Sequence, residues 1–294
     1  MGTRPRLGQG GLLRRTLTQE HFDRFAELTG DHNPIHVDQE FAARTPFGKT
    51  VSHGMLLYRL IAAVLETRMP GPGTIQLDQV LTFFNPAFAG DELTIMAWIT
   101  ERDEQRATLS AVVARPDGTV VCQGQTTVLL PGISFDGGKC QPAGGRSESS
   151  RAVARAMGLE PGQKATSRRV FTEQDLQTRA ELVGEARPSL PDQERVDRTA
   201  GARALVPGDL LGGMISQLLG MRLPGPGTSW LKQTLVFPTL AHVGDEITAT
   251  VEVSRLRPDR QLVNLITTCT SSTGEVVADG EALVLYRGLA QRDT

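Results

Sequence analysis

Apolar side chains recur along this chain in two periods, one helical and one strand-like, and the succession of the two occurs twice. After Thr18, the residues Phe22, Phe25, Ala26 and Leu28 fall close to i, i+3, i+4 spacing, which predicts a helix capped by Thr18 and ended by Gly30. Beyond Gly54, Met55, Leu56, Leu57, Leu60, Ile61, Ala62, Val64 and Leu65 leave almost no polar face. That pattern predicts a helix buried on most sides, stopped by Pro70-Gly71-Pro72-Gly73. Four β-rich runs follow, at 75–84, 92–100, 106–115 and 119–130, separated by turns such as Ala89-Gly90-Asp91 and Pro116-Asp117-Gly118. A buried helix followed by hairpin-connected strands implies an antiparallel sheet curled around that helix.

The second half repeats this plan. Met69-Pro70-Gly71-Pro72-Gly73-Thr74 recurs as Leu223-Pro224-Gly225-Pro226-Gly227-Thr228, and the same shift of 154 residues carries Gly90-Asp91-Glu92 onto Gly244-Asp245-Glu246. It also pairs Thr18 with Thr172, Gly30 with Gly184, Pro34 with Pro188 and Gly54 with Gly208. Asp117-Gly118 meets Thr273-Gly274 at a shift of 156, as expected if two residues entered a strand-connecting turn. The predicted fold is therefore α+β, a double hot-dog of two tandem copies, each a curved antiparallel β-sheet wrapped around a central helix. The expected domains are a first copy at 1–131, a Gly-rich linker at 132–164 and a second copy at 165–294.

Composition narrows the function without naming it. The 294 residues are 39% hydrophobic and 22% charged, with a formal charge of −2, so no bulk field favours nucleic acid or an anionic membrane. The most apolar stretch, Met55 to Leu65, falls short of the ~18 residues that a spanning helix needs, and no apolar signal core follows Met1, so a cytoplasmic protein is expected. Cys122, Cys140 and Cys269 are too few and too widely spaced for a disulfide framework or a zinc knuckle.

Chemistry-bearing residues concentrate in Gly30-Asp31-His32-Asn33-Pro34-Ile35-His36. Pro34 disfavours helical geometry at Asn33, so Asp31 and His36 are expected on an irregular bend, with a helix restarting near Asp38. Asp31 and Asn33 as mere turn-formers, with His36 as a satisfied half-buried residue, is the plainer reading. The repeat weighs against it. The second copy has Glu185-Ala186-Arg187-Pro188-Ser189-Leu190 there, keeping the bend-making Gly and Pro while losing the acid and imidazole. A zinc site from Asp31, His32 and His36 is disfavoured because Pro34 interrupts the helix that an i, i+4 histidine pair requires. Gly54, at a helix start, offers a backbone N–H to developing negative charge, or is simply a close-packing glycine, since Gly208 repeats it. Ser52 and His53 carry no nucleophile-elbow pattern. Lys49, Arg44 and Arg59 are scattered cations able to meet the phosphates of a ligand, a pattern that is more often solvated surface.

Gly30-Asp31-His32-Asn33-Pro34-Ile35-His36, with Phe41-Ala42-Ala43 and Val51-Ser52-His53-Gly54-Met55, resembles the MaoC-like (R)-specific enoyl-CoA hydratases, or hydratase 2 family. The resemblance spans the first copy through Gly90-Asp91-Glu92, and the second copy shares only the frame. It implies reversible hydration of trans-2-enoyl-CoA to (R)-3-hydroxyacyl-CoA, with Asp31 and His36 as the catalytic pair holding one water, Asn33 bracing the bend or the water, and Gly54 as oxyanion donor. Coenzyme A then enters as part of the substrate, as an acyl-CoA or acyl-carrier-protein thioester, with no separate cofactor and no metal. Single-copy relatives pair as homodimers, so the fused chain resembles one such dimer, with one active site and a second copy that shapes the acyl tunnel; whether fused chains pair again as a homodimer is left open. Eukaryotic double hot-dog relatives carry the catalytic copy second, whereas here it comes first. A hot-dog acyl-CoA thioesterase and a non-catalytic, tunnel-forming subunit of a dehydratase complex are the alternatives.

Overall fold

A computed structural model describes residues 6–135, 158–184 and 203–286 of the chain. The first copy runs β1 (Gly10–Thr16), α1 (Gln19–Thr29), α2 (Pro34–Val37), α3 (Gln39–Ala43), α4 (Gly54–Thr67), β2 (Ile75–Gln76), β3 (Asp78–Phe83), β4 (Glu92–Arg102), β5 (Arg106–Ala114) and β6 (Val120–Leu129). The second runs β7 (Lys164–Val170), α5 (Glu173–Glu181), α6 (Gly208–Met221), β8 (Thr228–Val236), β9 (Glu246–Arg257), β10 (Leu262–Ser271) and β11 (Val276–Tyr286).

Among the described residues the strands form one antiparallel sheet in the order β1-β4-β5-β6-β3-β8-β11-β10-β9-β7, with β2 paired to β6. The copies meet at its centre, where β3 pairs with β8 from Asp78↔Val236 to Thr82↔Lys232. Each half wraps its own long helix. Residues 55–65 of α4 are all buried, as the all-round apolar pattern predicts. α6 lies against α4 and the end of α1, and the approach depends on missing side chains: a Cβ on Gly212 would sit 2.7 Å from Met55 Sδ of α4, and one on Gly213 would sit 2.4 Å from Thr29 Cγ2 of α1. The two extra residues of the second copy fall between β9 and β10, where Pro258–Arg260 forms a 3-10 turn.

Two strands were not expected. Each copy opens with an edge strand, β1 or β7, rather than with a helix. In β1 Leu12-Leu13 and Arg14-Arg15 come as like pairs, so no period-2 alternation marks the strand; register with β4, Gly10↔Trp98 through Thr16↔Glu92, defines it instead. Most of the expected linker, at 136–157, lies outside the described residues, as do Cys140 and the bend at 185–190. Leu159, near the linker's far end, is buried in the core. Among the described residues no helix is long and apolar enough to cross a membrane.

A buried ion cluster joins the copies beneath the helices. Arg179 of α5 donates from Nη2 to Glu66 Oε1 at 2.6 Å and from Nε to Asp209 Oδ1 at 2.8 Å. Arg59 of α4 reaches Glu66 at 3.2 Å and Asp209 at 3.7 Å. Burial works to raise the pKa of Glu66, but Arg179 and Arg59 outweigh it and hold the carboxyl below its usual value. Arg59 is thus wholly buried, which corrects the expectation of solvated surface for that residue: among the described residues its guanidinium meets two carboxylates that the sequence places 7 and 150 positions away.

Candidate active site

Thr18 caps α1 as expected, and Gly30 ends it at φ 75°, a left-handed turn that costs glycine little. This reversal sends Asp31 inward, where it is 1% exposed, and leaves His32 on the surface. His36 lies on a short helix rather than on irregular chain. Pro34 occupies the first turn of α2, where its missing N–H is harmless, and the Asn33 side chain accepts from Ile35 N at 3.3 Å as its cap. Asp38 caps the next helix, α3, through Phe41 N at 2.9 Å, as the expected restart.

Asp31, His36 and His53 converge. The Ser216 hydroxyl of α6 donates to Asp31 Oδ2 at 2.6 Å, a charge-assisted bond from the opposite copy. Asn33 Nδ2 donates to the Gly220 carbonyl at 3.0 Å, also on α6. His36 Nδ1 lies 2.7 Å from the Val51 carbonyl, which can only accept, so Nδ1 carries the proton and Nε2 keeps a lone pair. His53 Nε2 donates likewise to the Asp31 carbonyl at 2.9 Å, and its ring stacks on His36 with centroids 3.8 Å apart. One ligating atom each of Asp31, His36 and His53 falls within 4.8 Å of the others.

Burial pushes the His36 pKa below its ordinary value, against Asp31 and the Val51 carbonyl, which raise it. His53 is held well below by burial and by His36. Both imidazoles are therefore neutral near pH 7, and His36 can act as a proton acceptor. His53 immediately precedes Gly54, so the stacked pair sets the start of α4 beside the acid. Among the described residues no side chain caps that helix start. The zinc set weighed from sequence is not assembled, since His32 is exposed; His53 takes its place in the cluster, and one atom on each member is already committed to a hydrogen bond. Lys49 and Arg44 are exposed, and Lys49 Nζ sits 4.4 Å over the Phe88 ring.

Residues 7–120 match the family model of the MaoC like domain. Over 127 residues the chain is 39% identical to a 3-hydroxybutyryl-CoA dehydratase of Methylorubrum extorquens, a stretch covering 42% of this chain and 80% of that protein. The chain belongs to the MaoC-like family.

Another MaoC-like relative, the (R)-specific enoyl-CoA hydratase of Aeromonas caviae, is 37% identical over 127 residues, covering 42% of this chain and 95% of that one. Both alignments account for one copy's length. The doubled architecture has its own counterparts among solved structures. One is a MaoC-like dehydratase at TM-score 0.74 and 18% identity, covering 96% of this chain and 99% of that one. Another is a Mycobacterium tuberculosis protein with a double hotdog fold, at TM-score 0.69 and 16% identity, covering 95% and 96%. The protein is a lyase of the hydratase and dehydratase type, with the double hot-dog fold that its repeat predicts.

Sequence reasoning missed Ser216 and Gly220, which hydrogen-bond Asp31 and Asn33. Both come from the copy without the acid and imidazole, and both depart from their internal equivalents, Ala62 and Glu66. Gly220 leaves room for the bend, because a Cβ there would lie 2.9 Å from Asn33 Nδ2. Comparing the two long helices position by position marks both as changed, but so it does most positions of those helices, so the signal does not single them out.

Proposed function

We propose that this protein adds water reversibly to a trans-2-enoyl-CoA to give the (R)-3-hydroxyacyl-CoA, or removes it in reverse, at a single site built on Asp31, His36 and Gly54. The observation that carries this reading is a carboxylate and an imidazole with one ligating atom of each within 4.8 Å, each held by its own hydrogen bond, beside an uncapped helix start. That separation suits one water bonded to both groups.

In hydration His36 Nε2 and the Asp31 carboxylate orient this water, and the pair takes one of its protons as the oxygen attacks C3 of the enoyl group. The C2=C3 π electrons shift toward the thioester, and the oxygen that gains negative charge lies against the Gly54 N–H. The proton returns to C2 from the same pair, so water is added across the double bond and both side chains end as they began. Ser216 orients Asp31 through Oδ2, Asn33 fastens the bend to α6, and His53 holds both the Asp31 carbonyl and the His36 ring.

The test offers crotonyl-CoA to wild type, Asp31→Asn and His36→Ala, following loss of the conjugated double bond and the chirality of the product. Each substitution is expected to cost about 10²- to 10⁴-fold in kcat with the fold intact. Folded variants that hydrate at the wild-type rate refute the mechanism. An (S) product refutes the stereochemistry, and free CoA appearing without hydration makes the protein a thioesterase.

A further inference from the structure

The acyl chain of a substrate bound as proposed must leave the reacting carbons past Gly54, so the walls there set which chains fit. The second copy shows the shape of the corresponding space. Its helix start, Gly208, borders a cavity of about 100 Å³ walled by Leu65, Gln76, Leu211 and Phe237 among others. The 154-residue shift carries these four positions to Leu219, Trp230, Leu57 and Phe83. Two contacts support the correspondence in space. A Cβ on Gly54 would lie 3.1 Å from Phe83 Cζ, as one on Gly208 would lie 2.4 Å from Phe237 Cζ. Trp230 packs on Phe83 with ring centroids 5.9 Å apart and planes tilted by 43°.

The copies differ most in shape at one of these positions. Gln76 is tied to the sheet and to α4, accepting from Tyr58 Oη at 3.0 Å and donating to Gln79 Oε1 at 3.2 Å. Trp230 puts a larger, flat ring in the equivalent place. Its Nε1 is buried with no hydrogen-bond partner among the described residues, so packing against Phe83 and the core holds it. We propose that Trp230, contributed by the second copy and backed by Phe83, is the end wall of the acyl slot and restricts this enzyme to short acyl chains. The chain's own second half thereby sets the substrate range of the first.

This inference rests on the proposed reaction for the place of the acyl chain, so its test reads binding rather than turnover. Butyryl-, octanoyl- and dodecanoyl-CoA, which cannot be hydrated, are titrated by calorimetry into wild type, Trp230→Gln and Trp230→Phe. A chain that overruns a packed aromatic wall loses about 10- to 100-fold in affinity. Wild type is expected to bind octanoyl-CoA at least tenfold more weakly than butyryl-CoA. Trp230→Gln, which installs the residue of the first copy, should close that gap, and Trp230→Phe should keep it. Should the Gln variant not fold, Trp230→Leu serves in its place. Equal affinities in wild type, or an unchanged profile in the opened variant, overturn the proposal. A shifted profile in a protein that fails the hydration test leaves the wall standing and removes only the reaction.

Discussion

Ser216→Ala is the most direct test of whether the second copy takes part in the chemistry. The hydroxyl donates to Asp31 Oδ2 at 2.6 Å inside the protein, and the residue is 5% exposed. Alanine removes the donor and little else. The first copy carries Ala62 at the equivalent position of its own buried helix, so the smaller side chain is compatible with this packing. A hydrogen bond to a charged group contributes about 1.5–3 kcal/mol, and losing it leaves Asp31 Oδ2 without its donor and the carboxylate less firmly aimed. If that energy is expressed in the transition state, kcat on crotonyl-CoA falls by about 10- to 150-fold while KM changes little. The assay is the initial rate of enoyl absorbance loss, with the thermal unfolding midpoint as the fold control, and Ser216→Thr should recover most of the rate. A variant that unfolds like wild type and keeps kcat within about twofold would refute the reasoning, reducing the contact to a packing accident.

Two further outcomes follow from the buried charges. His36 and His53 both have depressed folded pKa values, so the folded state binds fewer protons than the unfolded chain below pH 6.5. Stability should be flat above pH 6.5 and fall as pH drops from there through the folded values, and His53→Gln should flatten that slope; urea midpoints across pH 5–8 measure it. The acid limb of kcat/KM should likewise lie below pH 6.5, since only neutral His36 accepts a proton. Glu66→Ala removes one of the two carboxylates that Arg59 and Arg179 share among the described residues and should cost about 3–5 kcal/mol of stability by denaturant titration, whereas exposed Arg168→Ala should cost less than about 1 kcal/mol.

Much of the site lies in local order along the chain. Thr18, Gly30, Pro34 and Gly54 act on their immediate neighbours, through a cap, a left-handed stop, a fixed φ and a helix start. Their consequences, an inward Asp31 and a His36 a few residues on, are therefore readable in order. The repeat of Pro-Gly-Pro-Gly-Thr made the doubled hot-dog readable for the same reason, since each copy's plan is written in local periods. Pro34 shows the limit: its bar on helix at Asn33 was foreseen, but its aptness for the first turn of α2 put His36 on a helix.

Chain order could not reveal what meets across the copies. Ser216 lies 185 positions from Asp31, Gly220 lies 187 from Asn33, and Arg179 lies 113 from Glu66. Nothing in the sequence near Ser216 distinguishes a hydroxyl aimed at a carboxylate from one tolerated in an apolar helix. Edge strands β1 and β7 escaped for a related reason, because their conformation comes from a partner's unpaired N–H and C=O groups rather than from their own side chains. The sequence by itself determined the repeated fold and one half of a site. The packing of α6 against α4 decided which groups complete it, because burial and hydrogen bonding act between surfaces that only the folded chain brings together.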